Sequence, residues 1–301
     1  MIVVDNGGSD GELIQGEPAR LFEPGRNLGF AGGCNFGAAQ AANDVLVFLN
    51  PDTVVSPGAL ERLASTVEDP SIGIAMARLR LLNQPELLNS AGTVVHITGI
   101  AWAGRYGEPA ETVRELEDVP APSGAAMAMR RELFRELGGF TDEFFMYLEE
   151  VELGWRARLH GLRVVIDPGA DVFHEYEFGR HPAKTELLER NREIFVLTAY
   201  SLRLLFLLAP VLAAAELGML VLAARQRWFR GKLGGWWWCL RHSRWLLDRR
   251  RATQRLRRVR DRELARFLTP VLDPAMLQLP GAVKVASRLT GAYWNVVRKA
   301  L

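Results

Sequence analysis

The chain has 301 residues, 49% of them hydrophobic, 24% charged and 9% aromatic, with a net charge of +2. Those proportions supply a real core for one large domain or two small ones, and they exclude collagen-like, low-complexity and wholly disordered chains. Two cysteines, Cys34 and Cys239, and five scattered histidines exclude a disulfide framework and a zinc cluster, and fit a reducing compartment. The opening Met1-Ile-Val-Val-Asp5 reads as a buried strand rather than a signal peptide. It runs into the Gly/Asp/Ser loop 5–11, as at the carboxyl end of a parallel strand. Residues 34–43 are helix-prone, and Asn27–Asn35 reads as a glycine-rich loop opening that helix. Residues 45–49 are a second strand, closed by Asn50-Pro51-Asp52. Pro57 opens a helix to about residue 68, and 72–77 is a third strand. Residues 79–122 have no clear periodicity. Helices follow over 130–137 and 148–160, then a strand over 163–166 and a further stretch over 171–174. Strands alternating with helices predict an α/β sheet whose ligands bind beyond the carboxyl ends of its strands.

Composition changes near residues 190–200, which predicts one region over 1–195 and a helical one over 196–301. Residues 204–224 carry a single charge, Glu216, and 225–266 carry 15 Lys/Arg against 3 Asp/Glu. The net of +12 there leaves −10 over the rest of the chain, so a mildly acidic body carries a basic segment suited to nucleic acid or an anionic membrane.

Several residues stand where chemistry needs them, each with a plainer reading beside it. Asp52 follows a buried strand and a proline. It is either a turn residue or a carboxylate placed to bind a divalent cation on a diphosphate. Glu149, Glu150 and Glu152 crowd the start of a helix. They are either a solvated charged face or a general base with a raised pKa and tuning neighbours. Arg156 and Arg158 are candidates to pair with Glu152. His174 ends a strand and is either structural or a second metal ligand. The Gly29–Gly33 stretch offers backbone amides at a helix N-terminus, an anion site of low specificity by itself.

Taken in order, these segments resemble glycosyltransferase family 2, inverting enzymes of the GT-A fold, in the branch of rhamnosyltransferase-like enzymes of bacterial cell-surface polysaccharide assembly. Six pieces carry the resemblance over residues 1–195: Val3–Gly11, Asn27–Gly37, Leu49–Asp52, Ser123–Met127 with Gly138-Gly139-Phe140, Tyr147–Arg156 and His174. The resemblance implies a Rossmann-like, mostly parallel sheet, followed by a helical membrane-associated region. It implies Glu150 as catalytic base with Glu149 beside it. Asp5, Asn6, Asp10, Gly29, Phe30, Gly32, Asn35 and Asn50 would bind the nucleotide sugar, and Gly124, Glu152 and Arg156 would lie on the acceptor side. Asp52 and His174 would hold Mg2+ or Mn2+. The implied donor is a nucleotide-diphosphate sugar, with rhamnose as the candidate. The implied acceptor is a hydroxyl of a lipid-linked or polymeric glycan. The sequence departs from the family in three places. The family's first strand and helix are not represented, Glu150 stands where the family has Asp, and Asn50 occupies the first position of its DxD metal motif. These departures keep a non-catalytic sugar-nucleotide-binding relative as the alternative.

Residues 204–224 are long enough, as a helix of about 31 Å, to cross a bilayer. Positive charge and cytosolic nucleotide sugars both hold the flanking regions on one side, which favours a re-entrant or interfacial helix on the cytoplasmic face. Trp236–Trp238 and Trp245 would suit the headgroups. Leu256, Val259, Leu264 and Phe267 form an apolar stripe among arginines, read as lipid-facing. The tryptophans and apolar flank favour lipid over nucleic acid as the partner, and the plainer reading of the segment is a soluble helical subdomain with an apolar core.

Overall fold

The computed structural model describes residues 1–7, 19–175, 184–275 and 281–301, without the side chains of 281–286. Asp10, expected to bind nucleotide, lies outside them. Strand β5 (Ile72–Leu81) is buried along its first eight residues, so both its faces are covered. It anchors a seven-stranded sheet ordered β3 (Val45–Leu49), β10 (Ala126–Arg130), β5, β11 (Arg163–His174) and β4 (Thr53–Val55). Strand β6 (Gln84–Ser90) pairs with β5, and β9 (Glu117–Asp118) with β11. Only β5 and β11 are parallel partners in this sheet. The expected mostly parallel sheet is therefore mixed. One of the strands responsible, β10, has the sequence Ala-Met-Ala-Met-Arg, without the β-branched residues that announce a strand.

Strand β1 (Ile2–Val4) pairs in parallel with β2 (Arg20–Phe22) in a separate two-stranded sheet. Among the described residues, neither joins the larger sheet, and β3 has β10 as its one partner. Helix α1 (Gly29–Gln40) begins five residues earlier than its helix-prone composition indicates, and the presumed glycine-rich loop is its first turn. The aperiodic stretch 79–122 contains β6, β9 and the small-sheet strands β7 (Thr93–His96) and β8 (Ala101–Ala103). Helices α2 (Ala59–Thr66), α3 (Arg131–Leu137) and α4 (Glu149–Leu159) complete the first half, with Leu63, Phe134 and Leu153 in its core.

The expected boundary at residue 195 falls inside helix α5 (Lys184–Ala199). Strand β12 (Leu268–Thr269) adds in parallel to β7, and a second core joins Phe144, Val151 and Trp155 to Ile194, Leu264 and Trp294. Leu264 of the presumed lipid stripe is buried there, with Val259 and Phe267 packed against it, while Leu256 packs on the first core. The stripe faces inward because the sheet and α4 need an apolar cover that the periodicity alone cannot identify. Helix α6 (Leu202–Arg225) is continuous through Pro210 and, among the described residues, is the one helix long and apolar enough to cross a membrane. It is followed by α7 (Phe229–Arg241), α8 (Ser243–Arg255), the short α9 (Asp261–Leu264) and α10 (Gly281–Ala300).

Candidate active site

Asp52 and His174 arrive from different strands at one sheet edge. The register pairs Thr53 with His174, so the residue before β4 and the last residue of β11 become neighbours. The Asp52 Oδ1 to His174 Nε2 distance is 3.2 Å. His174 Nδ1 lies 3.1 Å from Oδ1 of the buried Asn89 in β6. An amide oxygen only accepts, so Nδ1 carries a proton, and Nε2 is the ring nitrogen on the Asp52 side. Ligands at adjacent corners of an octahedron with bonds of about 2.1 Å stand about 3 Å apart, so the pair fits one small hard cation. Two residues away, Asn50 Oδ1 is buried with no hydrogen-bond partner among the described residues, a further hard oxygen at the same turn. Carboxylate, imidazole and amide oxygen suit Mg2+ or Mn2+. The carboxylate cluster Glu189, Glu193 and Glu216 does not compete, because Lys232 Nζ bonds all three.

Glu150 is the second residue of α4 and is half-buried. Burial raises its pKa to about 7, against the stabilising backbone amides of Glu150 and Val151. Glu149 is buried, and its Oε2 has no hydrogen-bond partner among the described residues. Burial and the Glu150 charge push its carboxyl well above the ordinary range, so the two neighbouring carboxyls titrate as one coupled pair. A Cβ added to Gly124 would lie 3.7 Å from Glu150 Cβ and 3.3 Å from the Phe30 ring. The next residue, Ala125, accepts a hydrogen bond from Asn50 N at 3.0 Å. Gly124 therefore lies close to Glu150 and is followed by the residue that holds Asn50.

The approach to Glu150 is strained. Phe145, Tyr147 and Leu148 have φ of +62°, +73° and +68°. Each such non-glycine residue costs about 1–2 kcal/mol. Asn191 of α5, fully buried, donates to the carbonyls of Phe144, Met146 and Tyr147 at 2.9, 2.9 and 2.8 Å.

Other expected site residues serve the scaffold. Asn6 accepts from Leu28 N and donates to Gly29 O, both at 2.7 Å. Asn27 Oδ1 accepts from Gly29 N at 2.8 Å, and Phe145 O accepts from Ala31 N at 3.2 Å. These bonds use amides that the anion reading needed at the start of α1. Gly29 has φ +70°, and a Cβ there would collide with Phe145 O. A Cβ on Gly32 would stand 2.8 Å from Leu28 Cβ, so that glycine also serves close packing. Asn35 spends its amide on Phe140 and Asp142, holding α1 against the segment before α4. Asp5 ends β1, where its N–H donates to Phe22 O at 2.9 Å.

Glu152 and Arg156 do not face an acceptor. They are 0% and 1% exposed and form a buried ion pair at 2.6 Å. Thr141 Oγ1, at 2.9 Å, and Arg249 of α8, at 3.0 Å, both donate to Glu152, while Arg156 donates to Gly139 O at 2.7 Å. Arg158, six positions beyond Glu152, points elsewhere and pairs with Asp118 at 2.9 Å. Sequence reasoning missed Asn89, hidden in the aperiodic stretch, and Asn191, hidden at the compositional boundary. An amide among apolar neighbours was the available signal for the second.

Residues 1–138 match the family model described as Glycosyl transferase family 2. An N-acetylglucosaminyl-diphospho-decaprenol L-rhamnosyltransferase of Mycobacterium tuberculosis is 27% identical over 233 residues, covering 66% of this chain and 74% of that protein. The O-antigen biosynthesis protein RfbC of Myxococcus xanthus is 34% identical over 155 residues, 48% of this chain and 12% of that protein. The solved structure of GalNAc-T7 with UDP, GalNAc and Mn2+ aligns with a TM-score of 0.54 at 17% identity, over 65% of this chain and 41% of that one. At that identity the likeness establishes the fold alone, so the architecture is glycosyltransferase-like with a mixed sheet.

Proposed function

The chain belongs to glycosyl transferase family 2 through residues 1–138, with rhamnosyltransferase-like relatives, and on that premise we propose that it transfers a sugar from a nucleotide-diphosphate donor to a hydroxyl of a lipid-linked glycan. The observation that carries this reading is the Asp52–His174 pair at 3.2 Å, with Asn50 held by Ala125 and the preceding Gly124 close to a carboxylate with a pKa of about 7. A group titrating near the working pH is suited to remove a proton from an attacking hydroxyl. Glu150 takes that proton as the acceptor oxygen bonds to the anomeric carbon and the diphosphate departs, a single displacement with inversion. Burial and the Glu150 charge both disfavour ionisation of Glu149, which opposes a second negative charge beside the base. Asp52 and His174 would hold a divalent cation, Mg2+ or Mn2+, which when bound offsets the charge of the leaving diphosphate. Rhamnose is the favoured donor sugar, and a polyprenyl-diphosphate N-acetylglucosamine the favoured acceptor, because a relative named for that reaction aligns over 233 residues.

The test incubates purified protein with nucleotide-diphosphate sugars, with and without the polyprenyl acceptor, and follows nucleotide release and glycolipid. Expected are transfer that needs Mg2+ or Mn2+ and an inverted anomer by NMR. Asp52→Ala should cut turnover on the order of a hundredfold or more at fixed metal, with recovery at high metal. Donor binding without turnover would support the non-catalytic alternative.

The protein is further proposed to work on the cytoplasmic face of an anionic membrane, where nucleotide sugars are present. Phe206, Leu217 and Trp237 are 80%, 65% and 64% exposed on α6 and α7. Arg225, Arg227, Arg230 and Arg241 are exposed at the end of α6, in the turn after it and at the two ends of α7, a charge complement for anionic headgroups. The aromatic belt is narrower than expected. Trp236 donates to Glu216, and Trp238 stacks on His242 at 4.2 Å and packs against Trp245 at 5.5 Å, which leaves Trp237 as the exposed member. Combining Phe206→Asp with Trp237→Asp should reduce flotation with anionic liposomes about tenfold or more while sparing donor hydrolysis. Retention on DNA with no flotation would overturn the membrane reading.

A further inference from the structure

We propose that Asn191 is a positioning residue for the Glu150 base, an inference that rests on the glycosyl-transfer reading. Its side-chain nitrogen lies 2.9, 2.9 and 2.8 Å from the carbonyl oxygens of Phe144, Met146 and Tyr147. Three converging carbonyl dipoles repel one another unless a donor stands between them. A primary amide supplies two N–H groups from one atom, so at least one is shared. The Oδ1 end is also used, accepting from Arg190 Nε at 3.1 Å and Nη2 at 2.9 Å. Arg190 Nη2 donates as well to Glu143 O at 2.7 Å and Phe144 O at 3.1 Å, and its guanidinium lies 5.3 Å from the Trp238 ring centre.

The clamped segment is the one that aims Glu150. Phe145 bends it sharply, with Met146 N donating back to Phe144 O at 2.6 Å, and Leu148 at φ +68° is the cap from which α4 departs. Such left-handed residues persist only where surrounding bonds over-determine them. Without the amide, Phe145, Tyr147 and Leu148 relax toward ordinary φ values. The first turn of α4 then shifts against Gly124 and Phe30. A displacement near 1 Å at a reacting group costs on the order of a hundredfold in rate. Asn191 touches neither substrate nor the reacting atoms, so it acts through backbone geometry alone.

The test uses the full chain and compares wild type with Asn191→Leu, nearly isosteric and without donors, and Asn191→Ser, which keeps one hydroxyl donor. Measured are kcat, donor KM, the acidic limb of the pH–rate profile and the melting temperature. Expected for Asn191→Leu is a kcat lowered tenfold to a hundredfold, an unchanged donor KM and an acidic limb displaced from its wild-type position. Asn191→Ser should fall between, and it carries the test if the leucine variant does not fold. A kcat within twofold of wild type with an unmoved limb overturns the proposal. So does a loss that follows melting and donor KM together while the limb stays in place, because that pattern marks a packing role. Absence of transfer by wild type removes the underlying reading. Transfer by wild type with an undisturbed variant removes this inference alone.

Discussion

Glu150→Gln is expected to lower transfer by about 10^3-fold, within the range of 10^2 to 10^4 that a positioned general base contributes, while donor binding stays within twofold. The substitution keeps size and hydrogen-bonding atoms but cannot take a proton. Wild type should gain activity as pH rises through about 7, because burial has lifted the Glu150 pKa to that value and the base works ionised. The variant's residual rate should lack this limb. The same shift has a stability signature of opposite sense. Between the ordinary glutamate pKa and about 7, the folded protein holds a proton that the unfolded chain has released. Folding stability from this group is therefore full at lower pH and declines as pH rises through that window. Denaturant midpoints measured from pH 4.5 to 7.5 should slope less for Glu150→Gln than for wild type. Turnover equal to wild type would remove Glu150 as the base.

The second large effect concerns stability. Glu152→Ala should destabilise the fold by about 3–5 kcal/mol, the cost of leaving a buried charge without its partner. Arg156 is 1% exposed and would keep its guanidinium in the interior with only the carbonyls of Leu137 and Gly139 to meet it. Burial pushes the Glu152 carboxyl upward, but Arg156, Arg249 and Thr141 outweigh it and hold the pKa below the usual range. This contribution is thus present above the ordinary glutamate pKa and is lost as pH falls through the depressed value. Replacing both partners, Glu152→Met with Arg156→Met, should cost clearly less than either change alone. Urea midpoints of the three variants provide the measurement, and additive losses would show that the two charges are not coupled.

How much of this could be read beforehand varied with what each residue's neighbours in sequence reveal. Asp52 lies just past one strand and His174 ends another, and strand ends at a common edge meet, so their juxtaposition was legible from local pattern. Asn89 was not, because Gln-Pro-Glu-Leu-Leu-Asn-Ser lacks alternation and becomes a strand only against β5. The Glu152–Arg156 spacing announced a helical pair. Spacing is silent about burial, and the pair lies under α8 rather than facing an acceptor. The glycines of α1 suggested a phosphate cradle. The requirement at Gly29 comes instead from the close approach of the Phe145 backbone, far away in sequence, and that at Gly32 from Leu28. Leu264 and its companions showed an apolar face correctly, but an apolar face does not state whether protein or lipid covers it.

The cluster around Lys232 carries one more implication. Glu216 is bonded to Arg192 and Lys232, and Lys232 also reaches Glu189 and Glu193, so α6 is bolted to α5 at a fixed rotation about its own axis. Turning or sliding that helix would strand buried charges, so the outward azimuth of Phe206 and Leu217 cannot drift. That outward side therefore keeps one orientation toward the body of the fold, whatever comes to cover it.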